Sequence, residues 1–354
     1  MATYTEQQQA FVISVLSNNA AGQTGQASAI ATWLMNNVTS ALGQTAFTDA
    51  IGKWSLVWGP VVWQDASQNS NVADNVMMAA QNSDTNDIVV AIAGTNPNSA
   101  FDRGTEDLDV GQTVTFDSTS GSWIAQGTSD GIGVLEAMTD SSGQTLVEYL
   151  NALAPTGANL IFAGHSLGGA LAPSYALDLV FNSKLTTSNF ENVYVYPSAG
   201  PSPGNAAFAA LFAKTFPAVG SSGFNVWNQN IVNAWDAVPN GWTNLSVLPS
   251  LYPPINNGQP LTCIGILVDK ELTPALNGNE YANLPRVTFD NGFEEGLQPP
   301  ALGVTCQWLT QAIFQHIAAY FAEIIPDLQT LLPTPTLTRK ICRELDAWCD
   351  LHRA

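Results

Sequence analysis

The sequence predicts an α/β fold, with a mostly parallel central sheet flanked by helices on both faces. Two observations lead there. Near-continuous apolar runs, NLIFAG (159–164), NVYVYPSAG (192–200) and NIVNAW (230–235), alternate with stretches of helical character at 130–153, 166–179 and 205–216. Strands that are apolar on both sides, interleaved with helices, belong to sheets buried on both faces. The 354 residues, 45% hydrophobic and 11% charged, can also fill a large core and lack the composition of a disordered chain.

Residues 5–42 read as two helices, one with a stripe of Phe11, Val12, Val15 and Leu16, the other with Ile30, Trp33, Leu34 and Val38, broken by AGQTGQ. Short runs follow at 56–63, 75–80 and 87–94, and the last two, separated by QNSDTN, resemble a hairpin feeding a central strand. SWIAQG (122–127) is a further strand candidate. The span 239–300, rich in Pro, Asn and Gly, breaks the rhythm and reads as an insertion whose clear strand is CIGILVD (263–269). A helix is expected over 306–325. The organisation predicted is a single catalytic domain over 1–337, with an N-terminal helical extension (1–50) and an insertion (240–300), followed by a basic tail at 338–354.

The formal net charge is −19. It is carried by residues 1–338, with 6 Lys/Arg against 26 Asp/Glu, whereas residues 339–354 have 4 against 3. Such a chain repels polyphosphate and offers no basic stripe, which excludes nucleic acid as a partner and disfavours anionic phospholipid. No run of 18 apolar residues occurs and no charged segment followed by an apolar one opens the chain, so neither a transmembrane segment nor a signal peptide is expected in it. Low charge with abundant Asn, Gln, Ser, Thr and Gly fits a secreted protein. Cys263, Cys306, Cys342 and Cys349 have no zinc spacing, so no metal is expected. A Cys263–Cys306 bridge and four buried thiols both remain open, while Cys342 and Cys349, seven apart on a helix, would share a face about 10 Å apart, too far to bond.

The sharpest motif is GHSLGG (164–169), set between an apolar strand and a helix. That setting is a nucleophile elbow, in which a strained turn exposes a serine hydroxyl and glycines let the backbone pass. Ser166 is the candidate nucleophile, and the helix that follows aims free N–H groups at the reacting carbon. A hydroxyl needs a base, and the chain has three histidines. His165 precedes the nucleophile on the turn and reads as a support, while His352 is third from the end; His316 remains. The chain order of α/β-hydrolases puts the acid between serine and histidine, at a strand end, where Asp236 lies, with Asp269 as its rival. For the oxyanion hole, the Leu167 N–H and Thr95 at the end of AIAGT are the candidates, with Gly104-Thr105 competing.

Together these residues resemble the class 3, fungal-type triacylglycerol lipases of the α/β-hydrolase superfamily over about residues 76–320. The likeness rests on GHSLGGALA, on VVAIAGT with Thr95 at the oxyanion position, on Gly200-Pro201-Ser202-Pro203-Gly204-Asn205, on Asp236-Ala237-Val238-Pro239, and on His316 to Tyr320 as His-x-x-x-Tyr. It implies Ser166, Asp236 and His316 as the triad. The sequence departs from the pattern at Ala93, where the family has Arg, and in a longer gap between Asp236 and His316. An amphipathic lid, which the family implies, finds two candidates: the polar stretch 96–120 and the apolar one with Trp242, Leu245, Val247, Leu248, Leu251, Tyr252 and Ile255.

The function expected is that of a triacylglycerol lipase, a serine hydrolase that cleaves a small-molecule or lipid ester through an acyl-enzyme, with no cofactor and with transient contact at a lipid–water interface. Short-chain carboxylesterase, feruloyl esterase and phospholipase A1 share the same elbow. A catalytically silent binding protein on the same fold is the alternative from another class, and it usually lacks a triad member.

Overall fold

The computed structural model describes residues 2–107, 109–155, 157–297, 303–332 and 339–352. Its centre is a seven-stranded sheet. The strands are β1 (Trp54–Trp63), β2 (Asn75–Asn82), β3 (Ile88–Ile92), β6 (Leu160–His165), β7 (Val193–Ser198), β10 (Asn230–Asn233) and β11 (Arg286–Phe289), in that spatial order. β1, β2 and β3 pair antiparallel; from β3 onward every pairing is parallel. Two ribbons lie outside the sheet: β4 (Thr113–Asp117) with β5 (Ser122–Ala125), and β8 (Val219–Ser222) with β9 (Asn225–Trp227).

Helices cover both faces, as strands apolar on both sides require. On one face lie α1 (Glu6–Ser17), α2 (Ala27–Leu42) and α3 (Thr45–Ile51), whose Phe11, Leu34 and Phe47 share a core with Met78, Val89 and Ile161. α1 is buried from Gln9 to Ser17, apolar nearly all round, and packs against β3 and β6. A capping box starts it: Thr5 accepts from the Gln8 N–H, and the Gln8 side chain accepts from the Thr5 N–H. On the other face lie α4 (Gln126–Ala137), α5 (Leu146–Ala152), α6 (Leu167–Phe181) and α7 (Ala206–Thr215), around Phe162, Leu171, Tyr175 and Phe208.

Three expectations are corrected here. The stretch 130–153 is two helices, because Asp140 accepts from the N–H groups of Ser142 and Gln144 in a turn that splits it. CIGILVD is helical: α8 (Thr262–Leu267) runs on as the π-helical Val268–Leu272, and α9 (Thr273–Ala275) follows. A short apolar run suits a buried helix as well as a strand, and among the described residues no strand pairs with it. The strand of that span is instead Arg286–Phe289, parallel to β10, so the central sheet reaches into residues expected to be an insertion.

The C-terminal third ends in one long helical stretch, α10 (Val304–Ile313), a π-helical segment Phe314–Ala318 and α11 (Ala319–Ile324), followed by α12 (Arg339–Leu351). Disulfides join Cys263 to Cys349 and Cys306 to Cys342. Neither the Cys263–Cys306 bridge nor the free thiols of the sequence reading occur. Cys342 and Cys349 do not bond to each other; two turns apart on α12, each reaches a different partner, one on α10 and one on α8. Leu245, Leu248, Tyr252, Leu261, Ile264, Val268 and Trp308 form a separate small core there. No helix among the described residues is long and apolar enough to cross a membrane.

Candidate active site

β6 delivers the chain into its elbow at His165, and Ser166 takes φ 62° and ψ −126°, a conformation most L-residues avoid. The neighbours allow it. A Cβ on Gly164 would overlap the Gly168 carbonyl, and one on Gly168 would overlap the carbonyl of Ile92, so strand, turn and helix interlock by backbone contact. The Ser166 N–H donates to the Ser198 carbonyl at 3.0 Å, tying the turn to β7. α6 then begins at Leu167, whose N–H, like all first-turn amides, has no intrahelical acceptor.

His316 sits in the π-helical segment, where the widened turn sets its ring toward the elbow. Its Nε2 lies 2.8 Å from Ser166 Oγ, and its Nδ1 lies 2.9 Å from Asp236 Oδ2 and 3.1 Å from Oδ1. A carboxylate can only accept, so Nδ1 carries the proton and Nε2 is free to accept from the serine hydroxyl. Asp236 is fully buried yet well supplied with donors. The Val238 N–H reaches Oδ1 at 3.0 Å and the Tyr320 hydroxyl reaches Oδ2 at 2.8 Å. Tyr320 in turn accepts from the Asn233 N–H at 2.9 Å, and burial with the adjacent carboxylate holds its phenol far above the usual range. The rival Asp269 is exposed on the segment after α8.

His165 is buried beneath this pair, its ring centroid 5.0 Å from that of His316. Its Nε2 donates to the His316 carbonyl at 2.8 Å, which leaves Nδ1 to accept from the Ser198 hydroxyl at 2.9 Å. Burial, and after it the neighbouring His316, push its pKa down to about 3, so the ring is neutral. His352, on the exposed end of α12, stacks on Trp348 and bonds its carbonyl.

The loop after β3 passes directly over the elbow, and a Cβ on Gly94 would come 2.6 Å from the His165 carbonyl oxygen. Three amides flanking Thr95 show where donors are used. The Ala93 N–H donates to the Val76 carbonyl, Gly94 N–H to Asn18 Oδ1 at 2.6 Å, and Asn96 N–H to Asp102 Oδ2 at 2.7 Å. The Thr95 N–H has no acceptor among the described residues. The Thr95 hydroxyl donates to the Asp107 carboxylate at 3.1 Å. Gly104-Thr105 lies in the π-helical turn Asp102–Glu106, with the Thr105 carbonyl against Gly127.

Behind the loop, Asp102 and Glu106 are buried. Desolvation raises Asp102 to about 8, against the donors from Asn96 and Ser99, and raises Glu106 well above its usual range. Among the described residues no group of His, Cys, Asp and Glu is arranged to hold a metal. Of the two lid candidates, 96–120 begins in this hydrogen-bonded turn, whereas Leu245, Leu248 and Tyr252 face inward, against Trp308.

Sequence reasoning missed Asn18, Asn233 and Asp107. Asn18 carries the usual signal of a helix C-cap, and nothing in the sequence places it beside Gly94. Asn233 is legible only as the end of a strand, yet its side chain donates to the Gln315 carbonyl at 2.9 Å and so ties β10 to the turn that holds His316.

Comparison with known proteins points to lipases. The class 3 lipase family model matches residues 89–244. Among solved structures, the crystal structure of M37 lipase aligns with 99% of this chain and 100% of its own, at 25% identity and a TM-score of 0.73. The Rhizomucor miehei lipase propeptide complex covers 66% of this chain and 62% of its own at 22% identity and a TM-score of 0.42, and lipase II from Rhizopus niveus covers 68% and 76% at 20% and 0.43. No curated protein matches the sequence. With the lipase model matching from β3 to the turn after Asp236 and a lipase structure aligning along nearly the whole length, the chain is similar to the class 3 lipases over residues 89–244 and is a carboxylic ester hydrolase of the α/β-hydrolase fold.

Proposed function

We propose that the protein is a triacylglycerol lipase working through a Ser166–His316–Asp236 triad. The observation that carries this is the chain of contacts from Ser166 Oγ to His316 Nε2 at 2.8 Å and from His316 Nδ1 to Asp236 at 2.9 Å. In this reading Ser166 Oγ attacks the acyl carbonyl while His316 takes its proton, and the imidazolium so formed is stabilised by the buried Asp236 carboxylate. The tetrahedral oxyanion is met by the Thr95 and Leu167 amides, both without an acceptor among the described residues. Collapse expels the alcohol, protonated by His316, and leaves Ser166 acylated; water, activated by the same imidazole, then releases the acid. The neutral His165 keeps a second positive charge away from His316 at the step where the imidazolium forms.

The two disulfides favour an oxidising setting, so we place the enzyme outside the cell. We infer a lipid ester as substrate, met at a lipid–water interface.

Hydrolysis of p-nitrophenyl esters from acetate to palmitate, below and above substrate aggregation, with Ser166→Ala as the blank, tests the proposal. Serine-dependent turnover that persists on long chains and rises once the substrate aggregates is expected. Activity confined to short soluble esters would make the protein a carboxylesterase, and activity kept by Ser166→Ala would remove the triad.

A further inference from the structure

The N-terminal helix reaches the reacting centre through one side chain. We propose that Asn18 is a positioning residue for the oxyanion loop, holding the Gly94 amide so that the next amide, that of Thr95, faces the carbon attacked by Ser166. The inference rests on the proposed function, hydrolysis by attack of Ser166.

Four features support it. First, Asn18 has a fixed base: it caps α1, whose residues Gln9–Ser17 are buried and whose Phe11 meets the His165 ring edge-on at 6.0 Å. Second, its amide is oriented. Nδ2 faces the carbonyls of Ser14 and Val15, each at 3.4 Å, which turns Oδ1 outward to accept the Gly94 N–H at 2.6 Å. Third, Gly94 is pressed against the elbow, its Cβ position lying 3.1 Å from Ser166 Cβ, so any tilt of this peptide is felt at the nucleophile. Fourth, the bond removes Gly94 as a competing donor and leaves the Thr95 N–H as the one amide from 93 to 96 without an acceptor among the described residues.

The loop's carboxylate anchors, Asp102 on Asn96 and Asp107 on Thr95, belong to the stretch that follows Thr95 and would move with it. Asn18 belongs to a different wall of the molecule. It therefore fixes the loop relative to the sheet, on the side that faces Ser166.

A misplacement of an oxyanion donor is a transition-state effect, so it should appear in kcat with KM unchanged. The test compares two near-isosteric variants of the full chain, Asn18→Leu and Asn18→Asp. Both lose the donors to Ser14 and Val15; only Asp keeps an acceptor for Gly94. Turnover of p-nitrophenyl butyrate is measured per active site, counted by fluorophosphonate titration so that misfolded molecules drop out. We expect Asn18→Leu to lose about ten- to a hundredfold in kcat at near-constant KM, with a parallel loss of affinity for a phenylboronic acid that mimics the tetrahedral state. Asn18→Asp should stay within about fivefold of wild type, since it keeps the hydrogen bond. Asn18→Ala, smaller and also without an acceptor, should follow the Leu variant and serves if Leu yields too few titratable sites. Equal kcat for Asn18→Leu and wild type, or an equal fall in the Leu and Asp variants, would overturn the proposal. Failure of the underlying reading has a different signature, namely hydrolysis that survives Ser166→Ala.

Discussion

Residues 88–236 and the C-terminal third meet at one site and are held there by different means. In the first region, strand ends and tight turns fix Thr95, Ser166 and Asp236 by backbone approach, with glycines at 94, 164 and 168 where no Cβ fits. In the second, His316 rides on a helix outside the sheet, and its place is set by side chains and covalent ties. Gln315 receives Asn233, Tyr320 bonds Asp236 and Asn233, Trp308 donates to the Leu248 carbonyl, and Cys306 is bonded to Cys342. A serine fixed by steric exclusion tolerates no change at its glycines, whereas a histidine fixed by a network can be loosened in steps.

The largest effects should come from the proposed triad. Ser166→Ala and His316→Ala are expected to lower kcat by about 10⁴ to 10⁶ with near-normal folding, read by ester turnover and circular dichroism. Next, Gly164→Ala should break the first region outright, because the new methyl meets the Gly168 carbonyl; little soluble protein is expected, and a folded, active variant would show that the elbow has slack. In the second region, the paired change Cys306→Ser with Cys342→Ser should cost about 2–4 kcal/mol of stability, measured by denaturant unfolding, and should lower kcat more than Ser166 labelling. Tyr320→Phe removes one donor from a buried carboxylate and should destabilise by about 1.5–3 kcal/mol while lowering kcat about tenfold.

The last effect concerns pH and falls on stability alone. His165 is held at about 3 in the folded protein against an ordinary value of 6.5, so below 6.5 the unfolded chain binds a proton that the folded one refuses. This group's contribution is therefore fully present above pH 6.5 and is lost as pH falls toward 3, by up to about 1.4 kcal/mol per pH unit. His165→Gln should flatten the fall in stability over that window, measured by urea unfolding at a series of pH values. An unchanged slope would mean that other groups dominate acid unfolding.

The same contrast decides what could be read from the sequence. The parallel strands and the elbow announce themselves, since apolar runs, glycines and a serine between a strand and a helix leave few alternatives. Having three histidines, one of them beside the nucleophile, makes His316 the candidate by elimination, and the Asp236–Val238 turn leaves the Asp-x-Val-Pro signature. The C-terminal third hides its structure for physical reasons. CIGILVD has strand composition but no strand paired with it among the described residues, and Arg286–Phe289 is a short edge strand whose half-exposed pattern carries little signal. Disulfide partners are set by helix docking, which spacing does not encode. Asn18 lies 76 residues from the glycine it holds, and only the packing of α1 on the sheet brings the two together.

The central claim is that one serine, activated by His316, forms the acyl-enzyme. Its most direct test is reaction with a fluorophosphonate followed by mass spectrometry of the peptides, for wild type, Ser166→Ala and His316→Ala. A single adduct on Ser166 is expected in wild type, none in Ser166→Ala, and labelling slowed by at least about a thousandfold in His316→Ala. Rapid labelling of Ser166 without His316, or an adduct on another residue that accounts for the lost ester hydrolysis, would contradict it.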